Sequence, residues 1–171
     1  MRLTQSAVSG ENTMQLKSRH FEAADMAAAM ELCHEKGWSD GLPVVPPTAA
    51  LVGAMLEVCA LDPDHEVAFI ENRQVSVRAE KIAINAVLAG CKPEYMPVIV
   101  AAVEALADPL YGYHGPGTST GGAAVLMIVN GPIARELGIN NDHNLFGPGW
   151  RANATIGRAV RLIMRNTIGT I

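Results

Sequence analysis

Between Tyr111 and Pro132 the chain reads YGYHGPGTSTGGAAVLMIVNGP, with seven consecutive apolar residues, Ala123 to Val129, directly after a cluster of glycines and hydroxyls. A continuous apolar run bounded by turn residues fits a strand covered on both faces, whereas a half-exposed strand would alternate apolar with polar. This run constrains the fold more than any other segment. It demands cover above and below, and it places flexible, donor-rich backbone at the entrance of a rigid element.

The rest of the chain supplies mostly helices. Phe21 to Lys36 is rich in Ala, Met, Leu and Glu, strong helix formers, and Gly37 closes it. GWSDGLPVVPPT is dense in breakers and reads as an ordered loop, with Val44 and Val45 as an extended segment pinned onto the core. Thr48 is a helix N-cap for a short helix to about Val58. LDPDHE is a turn, and Glu66 to Val77 reads as one or two short strands around Glu71-Asn72. Ala79 to Ala89 is helical, ended by Gly90, and Pro93 opens a further helix to Ala107. That last helix is apolar almost all round, which implies burial on most sides and, in a chain this short, against another subunit. Pro132 to Leu137 is a short helix ended by Gly138, Asn140 to Gly149 is a second turn-rich loop, and Arg151 to about Asn166 is the final helix. The expected class is α+β, mainly helical with a small sheet, with α/β as the alternative. Residues 1–20 form a polar arm fitted to wrap a neighbour, and residues 21–171 a single domain.

Composition narrows the function. With 171 residues the chain is the size of one ordinary domain, and 49% hydrophobic against 18% charged residues excludes a disordered chain. Aromatics are only 5%, so the core is aliphatic. A net charge of −4 argues against nucleic acid and anionic membranes as partners. No apolar run reaches the roughly 18 residues of a membrane span, and the N-terminal residues lack the apolar centre of a signal peptide. Three cysteines without paired spacing (Cys33, Cys59, Cys91) argue against a disulfide scaffold. A cytoplasmic, soluble protein is expected.

Chemistry has three candidate seats. HGPGTSTGG, His114 to Gly122, can cradle an anionic or carbonyl group with backbone N–H groups and the hydroxyls of Thr118, Ser119 and Thr120, while His114 serves as acid, base or metal ligand. Equally, it can be a turn leading into a buried strand. Gly121, Gly122 and, at the far end of the apolar run, Asn130 complete this binding set. The stretch is not a P-loop, since no Gly-Lys-Ser/Thr follows, and it precedes a strand where a dinucleotide fingerprint follows one.

On the last helix, Arg151, Arg158, Arg161 and Arg165 fall at about 0°, −20°, −80° and −40° and form one stripe. The stripe is either a solvated face or a surface for an acidic partner or anion. Arg151 is the strongest member, because it opens a helix after Gly147-Pro148-Gly149, where free N–H groups favour negative charge; Asn153 shares that turn. Cys91 lies between two helices beside Lys92, where a helix N-terminus lowers a thiol pKa, so it is a candidate nucleophile; the alternative is simple packing. The other histidines, His20, His34, His65 and His143, show no metal-ligand spacing. Trp38-Ser39-Asp40-Gly41 is a pocket wall or an ordered turn with Trp38 in the core. Asn85, inside an apolar helix, is expected to satisfy backbone groups.

Four blocks, GWSDGLPVVPPT, EKIAINAVLAGCKPEYMPVIVAAVEAL, STGGAAVLMIVNGPIARELGIN and GPGWRANATIGRAVRLIMRN, resemble a poorly characterised bacterial family associated with, or joined to, UGSC-motif (seleno)proteins. The likeness covers about Gly37 to Asn166. It implies thiol redox chemistry at a Cys- or Sec-Gly-Ser-Cys site, a motif this chain lacks, so the resemblance places any such centre on a partner. The similar proteins continue beyond the position of Ile171, which implies a split protein completed by another chain. The expectation is therefore a subunit of a hetero-oligomeric enzyme, a thiol-linked reductase or a lyase, whose small-molecule site lies at the subunit interface. Two alternatives remain: an assembly or maturation subunit that docks a partner enzyme, and a homo-oligomeric enzyme with Cys91 as nucleophile and His114 as base. Cofactor and metal stay open.

Overall fold

The computed structural model describes residues 15–170 and is α+β, a helical assembly with one two-stranded antiparallel sheet. Its centre is α3 (Ala79–Ala89), in which nine of eleven residues are buried. Burial on nearly all sides is possible because the helix is built of Ala, Ile, Val and Leu, and its one buried amide is satisfied: Asn85 Nδ2 donates to Lys81 O at 2.8 Å. Gly90 ends it at φ 85°, a conformation that costs glycine little.

Against α3 pack α2 (Ala49–Val58), α4 (Met96–Ala107) and, most extensively, α7 (Arg151–Ile163). Thr48 caps α2 by accepting from Leu51 N, as its sequence position predicts. The helix α1 (Met26–Glu35) starts five residues later than Phe21, because the Asp25 carboxylate accepts from Ala28 N and fixes the first turn there. The hairpin β1 (Glu66–Ile70) and β2 (Val75–Arg78) turns at Glu71–Arg73, with Gln74 in the left-handed region at φ 53°. The loop Gly37–Thr48 is ordered: Val44 is buried, Val45 N donates to Leu88 O, and Val45 itself stays exposed.

Two expectations need correction. The helix entered at Pro93 begins with a 3-10 turn, Pro93–Tyr95, and then buries a single stripe, Met96, Ile99, Val103 and Leu106. Its other side carries half-buried Val98 and Val100 and exposed Ala101, so within this chain α4 is covered along one side rather than on most sides. The second correction concerns Ala123 to Val129. The segment is extended, but no backbone–backbone hydrogen bond joins residues 119–130 to anything among the described residues. It alternates instead: Val125, Met127 and Val129 are half-buried, while Leu126 and Ile128 are 67% and 80% exposed. The residue types are right for a central strand; the neighbouring strands and the outer cover are missing among the described residues.

Between these lie α5 (His114–Thr118) and α6 (Pro132–Glu136), each a single turn and a half. The final helix continues past Ile163 into a π-helical turn, Met164–Ile168. The expected polar arm, residues 1–20, falls mostly outside the described residues. Its described end runs along this chain, where the Lys17 and Ser18 amides donate to Glu80 at 3.0 and 2.9 Å.

Candidate functional site

The glycine–hydroxyl loop is anchored at one end by Tyr113, whose buried hydroxyl lies 2.7 Å from Thr170 Oγ1. Burial raises the Tyr113 pKa, against the opposing hydrogen bond to Thr170. Beyond this anchor the loop folds on itself. Thr118 Oγ1 donates to His114 O at 2.7 Å, and Gly121 N donates to Ser119 Oγ at 3.1 Å. The chain then lays Met127 over Gly157 of α7. The space left between loop and helix is a pocket of about 470 Å³, lined by Ser119, Thr120, Gly122, Met127, Arg161 and Met164. Two hydroxyls, a glycine backbone and a guanidinium thus share a recess with thioether walls. Such a set can hold an anionic or carbonyl-bearing group by donation from several sides.

The structure brings together part of the predicted set and separates the rest. Ser119, Thr120 and Gly122 face the recess, and Thr118 and Gly121 shape the turn behind it. His114 and Asn130 are exposed and do not line it. The arginine that joins the hydroxyls is Arg161, not Arg151. Sequence placed Arg161 on the helical stripe; no local signal singled it out, because its meeting with the loop depends on how the extended segment crosses α7.

Arg151 is used elsewhere: its Nε and Nη2 donate to Gly90 O at 3.0 and 2.8 Å, capping the C-terminus of α3. Asn153 is a loop clamp. It accepts from Asn140 N at 2.8 Å and donates to Asn140 O at 2.9 Å, tying the Asn140–Gly149 loop to α7. Arg158 forms a two-pronged pair with Asp40 at 2.9 and 2.7 Å, fastening the GWSDGL loop. That hydrogen-bonded guanidinium holds the Asp40 carboxyl below the usual carboxylate range. The acidic partner of the stripe is therefore, for Arg158, a residue of the same chain.

Cys91 departs most from expectation. It is 6% exposed, and its Sγ donates to Thr155 O at 3.2 Å. Burial pushes its pKa up to about 11, outweighing that hydrogen bond and the charges of Arg151 and Arg158. The helix N-terminus does not make it a thiolate. Among the described residues no group of three His, Cys, Asp or Glu side chains is placed to hold a metal ion, and no helix is long and apolar enough to cross a membrane. Comparison with protein-family models, curated proteins and solved structures finds no match to this chain.

Proposed function

We infer that this chain is a subunit of a hetero-oligomeric enzyme and contributes the binding half of a small-molecule site completed by a second polypeptide. The observation that carries the reading is the segment Ala123–Val129: extended, apolar on its outward face at Leu126 and Ile128, and unpaired along both edges among the described residues. Unpaired strand edges with apolar side chains are what a protein normally covers or pairs. A partner that adds strands here would also close the recess of Ser119, Thr120 and Arg161, which lies against the same segment. In this arrangement the described chain binds an anionic or carbonyl group, and the partner brings the reactive group, a redox thiol or a lyase centre.

The exposed Leu126–Ile128 face also favours a second reading, in which the chain serves only to assemble its partner. One experiment separates them. The chain is co-expressed with the products of its neighbouring genes, and the complex is compared with variants Arg161→Met and Ser119→Ala/Thr120→Ala. The binding-half reading expects intact assembly with turnover reduced at least about tenfold, the worth of one charge-assisted contact. Unchanged turnover leaves the assembly role, and full activity of the isolated chain ends both.

A further inference from the structure

A second cavity, of about 690 Å³, lies under the segment that leads into α1. Its size is that of a small-molecule site, within the roughly 300–1,000 Å³ usual for such pockets. The walls are apolar, drawn from Leu32, Cys33, Trp38, Val52, Ile84 and Leu88. The roof is a strap held at several points. The Lys17 and Ser18 amides sit on the Glu80 carboxylate, Lys81 Nζ donates to Ser18 Oγ at 2.9 Å, and Phe21 meets Trp38 edge-on at 5.2 Å.

The polar groups of this cavity are mostly donors. Among the described residues the Ser76 Oγ is buried without a hydrogen-bond partner, and Ser76 lines the cavity. A buried hydroxyl left unpaired is uncommon and calls for an explanation. At the far side, the π-helical turn Met164–Ile168 brings Asn166 and Thr167 to the wall. Such turns cost hydrogen-bond geometry and occur frequently at functional sites. Here the amides lock one another: Asn166 Nδ2 donates to Trp38 O and Asn85 Oδ1, and Asn85 Nδ2 donates to Lys81 O and Thr167 Oγ1. Thr167 Oγ1 accepts in that network, so its proton is left to give. Cations prevail at the lining. Arg19, Arg78 and Lys81 line it with Glu80 as the one carboxylate; Arg78 is engaged by Asp64 and the charge of Lys81 acts on Glu80, while Arg19, over the Phe21 ring, has no carboxylate partner among the described residues. Both Glu80 oxygens already accept strap amides.

We propose that this cavity binds a small carboxylic acid with an apolar body, the body against Trp38 and the aliphatic walls and the carboxylate toward Lys81, Ser76 and Thr167. The site is separate from the recess beside Arg161 and stands independently of the subunit reading. An anion satisfies the orphan hydroxyl and the cation excess together, and a neutral ligand would leave the charge unanswered.

The test uses the whole chain carrying Trp150→Phe, which leaves Trp38 as the only tryptophan. Its emission is followed on titration with 3-phenylpropionate and, separately, with the uncharged 3-phenylpropionamide. The expected result is saturation by the acid at a concentration at least about tenfold lower than for the amide, with that preference lost in Lys81→Met. Ser76→Ala serves as the second variant, since deleting an unpaired hydroxyl does not threaten the fold: it should keep or raise the melting temperature while weakening acid binding several-fold. Leu126→Lys should leave both titrations unchanged, which separates the cavity from the exposed apolar segment. Equal binding of acid and amide overturns the proposal. So does absence of saturation, an unaltered Ser76→Ala titration, or loss of binding in Leu126→Lys.

Discussion

At the scale of single residues, burial decides the chemistry. Cys91 sits where sequence predicts an activated thiol, yet the same packing that places it between two helices removes it from water, and its pKa rises to about 11. The thiolate is the reactive form, so at pH 8 the folded protein should alkylate at Cys91 roughly 100-fold more slowly than the unfolded chain, whose thiol titrates near its ordinary value. Iodoacetamide labelling followed by peptide mass spectrometry reads this directly. The sign for stability follows from the same shift. A raised pKa stabilises the fold below the unfolded value and loses that contribution as pH climbs toward the folded one, so stability should decline between about pH 9 and pH 11. Arg151 and Asn153 teach a related lesson. Their positions at a helix start were legible, but both are consumed by carbonyl and amide groups of neighbouring loops, which only the tertiary arrangement brings near.

Elements were more legible than sites, and their local chemistry explains why. Thr48, Gly90 and the breakers around Gly37 act over a few residues, so the bounds of α2 and α3 and the loop between α1 and α2 could be read from the chain. The segment Ala123–Val129 shows the limit. Its composition specifies a central strand, but pairing is a property of partners, and composition does not say which chain supplies them. The structure assigns its two faces unequal roles, Met127 against α7 and Leu126 with Ile128 outward. Replacing both outward residues by lysine should therefore change the melting temperature by no more than a degree or two, the usual range for exposed positions. The same double variant should abolish capture of a partner and lower self-association at high concentration, as followed by sedimentation velocity.

Across the whole molecule, the last helix and its continuation serve two separate surfaces: α7 carries the recess at its Arg161 face, and the π-helical turn beyond it helps to wall the larger cavity. The roof of that cavity is held chiefly by Glu80. Burial alone would raise its pKa, but the amides of Lys17 and Ser18 and the charge of Lys81 hold it below the ordinary value. That stabilisation is present above the unfolded pKa and is lost as pH falls through the folded one, so acid should loosen the roof first. Lys17→Pro, which deletes one of the two amide donors, should cost about 1–3 kcal/mol and raise amide exchange across residues 15–24. The grip on Glu80 is made by main-chain hydrogens, and the side chains of the same two residues add further clasps, Ser18 Oγ accepting from Lys81 Nζ and Lys17 Nζ pairing with Asp64. Rewriting those two letters therefore slackens the lid by degrees, whereas proline removes a main-chain clasp outright.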